Sequence, residues 1–283
     1  MEWRGRRQSS NVEDRRQSGG AGRGASVGGG LGLVAIVVVG WFFGVDLTPL
    51  LNGTSAPQGG STAPLSDAEA QAGEFVSVTL ADTEEIWTGI FRSQLGKTYT
   101  PATLVLYRDV TPSPCGTASG ATGPFYCPGD QKVYLDTAFF STMANQLGAR
   151  GDFAMAYVVA HEIGHHVQDE LGILGRANKK RAQVSEADSN AISVRIELQA
   201  DCLAGIWGRA VKAQFGTIQK GDFEEAVNAA KQIGDDTLQR NAGRVPMPDN
   251  FTHGTSAQRS KWFQIGLKSG QLSDCDTFKV GNP

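Results

Sequence analysis

Residues 153–171 read FAMAYVVAHEIGHHVQDEL. Their apolar first half and charged end predict a helix over 152–171. On that helix His161 and His165 stand four residues apart, so both project from one face on successive turns. Imidazole nitrogens placed in this way can meet a single zinc ion. Glu162, one position on from the first histidine, can reach a water on that metal without ligating it, as a general base and later a proton donor. The chain holds only 4 histidines, and three of them fall between 161 and 166. Two merely solvated histidines do not account for that crowding on an apolar helix. His166 points about 100° away from His165 around the helix and reads as a packing residue, not a ligand.

A catalytic zinc needs a third protein ligand and an open position. The next long helix is predicted over 189–215, and it carries Glu197 and Asp201, again four residues apart on one face. Glu197 is the candidate ligand, and Asp201 is the candidate acceptor for the free ring N–H of a zinc-bound histidine. Apolar neighbours such as Ile196, Leu198, Leu203 and Trp207 argue that this face is buried, where an unpaired carboxylate is costly. Glu186 competes more weakly, because it lies in a polar run, RANKKRAQVSEADSN, that reads as a loop. His253, in FTHGTSAQR, is a candidate donor to the oxyanion of a hydrolysed carbonyl. Arg259 could play that part or orient an acidic partner. The same loop also reads as a helix cap with Thr255 or Ser256 as the capping residue.

Around these helices the pattern predicts an α+β fold, a small sheet followed by a mainly helical part. A helix is expected over 78–95 with Thr83 as an early cap. Strands are expected over 103–107 and 132–135, paired as an irregular hairpin around a cysteine loop. Further helices are expected over 137–147, 222–233 and 256–267. The chain of 283 residues is long enough for one substantial core.

The front of the chain is different. Residues 1–24 form a basic tail, with six arginines before residue 30 against Glu2, Glu13 and Asp14. The net charge is −3, so the remainder is acidic, with 20 basic and 26 acidic residues, and gives no support for nucleic-acid binding. Residues 24–45 carry no charge, and a helix of that length spans roughly 33 Å, enough for a bilayer core. A transmembrane anchor is therefore expected over 25–45, with a cleaved signal peptide as the alternative. The preceding arginines place the N-terminus in the cytoplasm and the body outside. Residues 46–73, rich in Gly, Ser, Pro and Ala, read as a flexible linker to a domain over 74–283. Four cysteines suit an oxidising compartment. Cys115 with Cys127 and Cys202 with Cys275 is the preferred pairing of the three possible.

Several stretches together resemble the bacterial neutral zinc metallopeptidases of the YpfJ-like family. They are SPCG with FYCPGDQKVYLD, GDFAMAYVVAHEIGHHVQ, SVRIELQADCLAGIW, GDD at 234–236 with FTHGTSAQRSKWF, and GQLSDCDTF, in that order. The N-terminal tail and apolar segment are similar to that family's layout. The resemblance implies a zincin-like peptidase of the gluzincin kind, with His161, His165 and Glu197 as ligands of one zinc ion, Glu162 as catalyst and Asp201 behind a histidine. It also implies a substrate-aligning strand at 132–135, before the zinc helix, and a peptide or protein substrate. A non-catalytic zinc protein with a binding role, or a zinc amidase acting on cell-wall material, remain the alternatives.

Overall fold

In a computed structural model the chain is described over residues 1–17, 63–119, 122–281 and 283. The expected membrane span at 25–45 lies outside the described residues, and no described helix is long and apolar enough to cross a membrane. The fold is α+β, as expected.

The first long helix, α1 (Asp67–Ile90), starts much earlier than residue 78. Ser66 caps it, accepting from the Glu69 amide while the Glu69 side chain accepts from the Ser66 amide, so two N-terminal donors are satisfied reciprocally. The last residues assigned to the linker are therefore helical. Thr83, expected as a cap, lies inside the helix with its hydroxyl turned onto the Leu80 carbonyl.

The main sheet has the order β1–β2–β6–β5, from β1 (Val12–Asp14), β2 (Thr103–Tyr107), β5 (Phe125–Cys127) and β6 (Lys132–Asp136). Both expected strands form, but they do not make a hairpin. β2 and β6 run parallel, with Thr103 opposite Lys132 and Tyr107 opposite Asp136. Between them a small antiparallel pair, β3 (Val110–Ser113) and β4 (Gly116–Ser119), and then β5 supply the reversal a parallel pairing requires. The disulfides are Cys115–Cys127, which ties the β3–β4 turn to β5, and Cys202–Cys275.

A second departure concerns the N-terminus. Residues 1–16 are not a separate tail: Met1 and Trp3 are buried in the main core, and β1 pairs in parallel with β2. Burial of these apolar side chains and the strand pairing hold the segment on the body.

The helical part comprises α2 (Ala138–Asn145), α3 (Asp152–Glu170), α4 (Ile173–Arg181), α5 (Glu186–Gln214), α6 (Asp222–Gln232), α7 (Asp235–Asn241) and α8 (Ser256–Ser269). α4 and the start of α5 take up the two ends of the run read as a loop, and α7 was not anticipated. Their weak apolar patterning explains both omissions, since only Leu174 and Ala177 of α4 are buried. The close crossing of α5 and α8 depends on two glycines. A Cβ on Gly205 would lie 2.1 Å from the Phe263 carbonyl oxygen, and one on Gly266 would lie 1.9 Å from that of Cys202. α3 approaches α5 in the same way at Gly164, where a Cβ would meet the Ala200 backbone at 3.1 Å. These contacts bring the face bearing the histidines against the face bearing the carboxylates.

Candidate metal centre

His161 and His165 on α3 and Glu197 on α5 converge, each offering one ligand atom, with these atoms all within 4.8 Å of one another. His161 Nε2 lies 3.1 Å from Glu197 Oε2, and His165 Nε2 lies 3.5 Å from Glu197 Oε1. Glu186, the alternative donor, begins α5 and is exposed, three helical turns from this point.

Both histidines are held from behind. His161 Nδ1 is 2.9 Å from Asp201 Oδ1 and His165 Nδ1 is 2.9 Å from Gln168 Oε1. An amide oxygen only accepts, so Nδ1 of His165 carries the proton. Asp201 accepts from Nδ1 of His161 in the same way, so Nε2 of each ring faces Glu197 and, in the neutral form of the ring, is the atom free to ligate a metal. Gln168 is fully buried, and its amide donates to the Ile196 carbonyl and to Gln199, which in turn donates to the Cys275 carbonyl. Sequence reasoning passed over Gln168, although its place three residues after His165 put it on the same helix face.

Asp201 is fully buried and its two oxygens are shared. Arg259 from α8 donates Nε to one at 2.9 Å and Nη2 to the other at 3.0 Å, and Tyr157 donates its hydroxyl to the second. Arg259 also donates Nη1 to the Ile233 carbonyl, and its two bonds to Asp201 orient the acid. Tyr157, another residue missed in the sequence, lies one turn before His161.

The electrostatics suit a dication. Burial opposes a charge on His161, but Asp201 and Glu197 outweigh it and raise its pKa to about 10. Burial likewise opposes ionisation of Glu197, yet the neighbouring His165 and His161 hold it well below the usual carboxylate range. Two carboxylates, Glu197 and Asp201, act on the Arg259 guanidinium, so with neutral imidazoles the ligand pocket has negative charge to offer a cation. Two imidazole nitrogens and a carboxylate, with hydrogen-bonded rings, form the donor set of a catalytic zinc site. The residues present therefore fit the metal.

A cleft of about 470 Å³ opens on this centre. Glu162 lines it and is 7% exposed, with no hydrogen-bond partner among the described residues. His253 lines the far wall. Its ring Nδ1 is 3.2 Å from Asp235 Oδ1, while Asp235 Oδ2 accepts the backbone amides of His253 and Gly254. Burial lowers the tendency of this ring to charge, but Asp235 and Glu197 prevail and raise its pKa. Thr255 caps α8 in a capping box with Gln258, so the loop is both a cap and a wall of the cleft. Asp235 was missed because it lies 18 residues before its histidine.

His166 behaves as a packing residue, buried against Tyr99 and Tyr126. The strand at 132–135 does not have the place implied for it, because β6 is paired on both sides, by β2 and β5. The terminal strands are β1 and β5, and Phe125 and Tyr126 of β5 line the cleft. Tyr126 is tied to the histidine helix by hydrogen bonds to Asp169 at 2.9 Å and to His166 at 3.2 Å.

The family model described as "Putative neutral zinc metallopeptidase" matches residues 1–278. The chain belongs to this family. It is 48% identical to the Escherichia coli K12 protein titled "Uncharacterized protein YpfJ", covering 98% of this chain and 99% of that one. It is 38% identical to the Mycobacterium tuberculosis H37Rv protein titled "Uncharacterized protein Rv2575", covering 75% and 74% respectively. No solved structure matches the chain.

Proposed function

We propose that this member of the family is a zinc-dependent endopeptidase that cleaves peptide bonds with a water activated by Glu162. The observation that carries this reading is the unpaired Glu162 carboxylate on the cleft wall, beside the point where His161, His165 and Glu197 meet. A purely structural zinc site closes its coordination shell and has no use for such a base.

His161, His165 and Glu197 would hold a zinc ion, which when bound would supply the Lewis acidity that acidifies a water and polarises the scissile carbonyl. Glu162 accepts the proton of the attacking water and returns it to the leaving amine. His253, with Nδ1 engaged by Asp235, is oriented to donate from Nε2 as negative charge builds on the carbonyl oxygen. Asp201 and Gln168 keep the ligand rings in the required tautomer and orientation. β5 ends the sheet beside the cleft, and among the described residues no strand pairs with its outer edge, along which an extended substrate can add as a further strand.

The two disulfides support a catalytic body in an oxidising compartment outside the cytoplasm, held at a membrane by the apolar segment 25–45. The test is purified protein with about one zinc per chain, assayed on a peptide library before and after chelation. Glu162→Gln should retain the metal and lose cleavage. Cleavage that survives this substitution would refute the mechanism, and bound zinc with no turnover on any peptide would favour a binding role.

A further inference from the structure

We infer that residues 1–16 and the metal centre lie on the same side of any membrane met by residues 18–62, so that the N-terminal arginines are structural ion-pair partners and not markers of a cytoplasmic end. The segment is joined to the body along its whole length. Trp3 packs edge-on against Phe75 of α1, with ring centroids 5.5 Å apart. Ser9 and Ser77 exchange hydrogen bonds, from the Ser9 amide to the Ser77 carbonyl at 3.0 Å and from the Ser77 hydroxyl back to the Ser9 carbonyl at 3.2 Å. Val12, Glu13 and Asp14 pair with Leu104, Val105 and Leu106, and the Arg15 amide continues the ladder to the Leu106 carbonyl.

The arginines are consumed in this docking. Arg6 forks onto Asp82 with bonds of 2.5 and 2.8 Å, and Arg7 reaches Glu84. Arg15 pairs with Glu13 and Arg16 with Asp14. Arg4 stacks over Trp3. The rule that cationic flanks remain in the cytoplasm acts on charges free to choose a side. Arg6 and Arg7 are matched by carboxylates of α1, and Arg15 and Arg16 by acids of the docked segment itself.

The two ends of the intervening chain also meet. Arg16 is 4% exposed and donates to the Glu69 carbonyl at 2.5 Å, in the first turn of α1. Gly73 makes the room, since a Cβ there would lie 2.4 Å from the Arg16 guanidinium. One crossing separates its ends by about 30 Å of hydrocarbon. Residues 17 and 63 cannot stand that far apart while Arg16 touches Glu69, so both lie on one side.

The experiment uses the full chain in spheroplasts, with Ser10→Cys and Lys268→Cys made separately at exposed positions of the N-terminal segment and the body. Each is treated with a membrane-impermeant maleimide before and after lysis. Equal labelling of both before lysis, or of both only after it, is the expected result. One labelled before lysis and the other only after would overturn the inference. A second measurement, Ser9→Cys with Ser77→Cys, should form a disulfide cross-link in isolated membranes treated with a mild thiol oxidant, and its absence in a correctly folded, zinc-loaded protein would count equally against docking. Neither readout depends on cleavage, so failure here is distinguishable from failure of the peptidase reading.

Discussion

Asp201 Oδ1 lies 2.9 Å from His161 Nδ1, and the same carboxylate is clamped by Arg259 through two hydrogen bonds. The acid that orients the histidine is thus itself oriented from a third helix. Asp201→Asn can present its amide nitrogen to the ring and favour the wrong tautomer, while leaving Arg259 without its carboxylate. Zinc affinity should fall by about 10–100-fold, as for other partners that orient a metal ligand. Competition with a chromophoric chelator measures it. Stability should fall by about 3–5 kcal/mol, the usual cost of an unpaired buried charge, as read from denaturant unfolding.

Glu197 supplies a ligand atom directly, so Glu197→Ala should reduce zinc occupancy more than Asp201→Asn does. Metal analysis after dialysis against a weak chelator decides the order. If Asp201→Asn lost more metal, the two roles would be exchanged.

The pairing of His253 with Asp235 predicts a pH dependence. The His253 pKa is raised above its ordinary value, with Asp235 the leading favourable contributor against burial. The charged ring is thus the donor form below that raised pKa, and activity should decline as pH rises through it. Asp235→Asn removes the charge that raises the pKa, so the alkaline limb of kcat/KM should move to lower pH. The same linkage gives His253 a stabilising contribution that is complete below its unfolded-state pKa and lost as pH passes the folded-state value. An unchanged alkaline limb in the variant would exclude His253 as its origin.

The Cys202–Cys275 bridge closes a separation of 73 residues. The loop-entropy relation assigns such a closure about 4 kcal/mol. Cys275 also lends its carbonyl to Gln199, which holds Gln168 and through it His165. Replacing both cysteines by alanine should lower the unfolding free energy by a value of this order and weaken zinc binding as well. A loss of stability with unchanged metal affinity would show that the Gln168 chain is held without the bridge.

Gly205→Ala or Gly266→Ala should separate α5 from α8. Overpacking of this kind costs about 1–3 kcal/mol, and here it also displaces Arg259 from Asp201. Reduced zinc affinity should therefore accompany reduced stability, although neither glycine touches the site.

Much of this protein was legible because its chemistry is local. The i, i+4 spacings of His161 with His165 and Glu197 with Asp201 are helix geometry, and helix geometry is a property of the chain alone. The β-branched and aromatic residues at 103–107 and 132–135 marked strands for the same reason. The sequence by itself thus determined the two helices that carry the site, their shared faces and the pairs of candidate ligands. Tertiary structure alone decided what meets across those faces: Gln168 behind His165, Arg259 turned inward onto Asp201, Asp235 beneath His253, β2 parallel to β6, and β5 as the terminal strand beside the cleft. It also decided that residues 1–16 belong to the body, where arginines read as a free basic tail meet Asp82 and Glu84 from a helix some 70 positions away. Such contacts join residues far apart in the chain through packing and charge neutralisation, and no local spacing encodes which distant partner will satisfy a buried group.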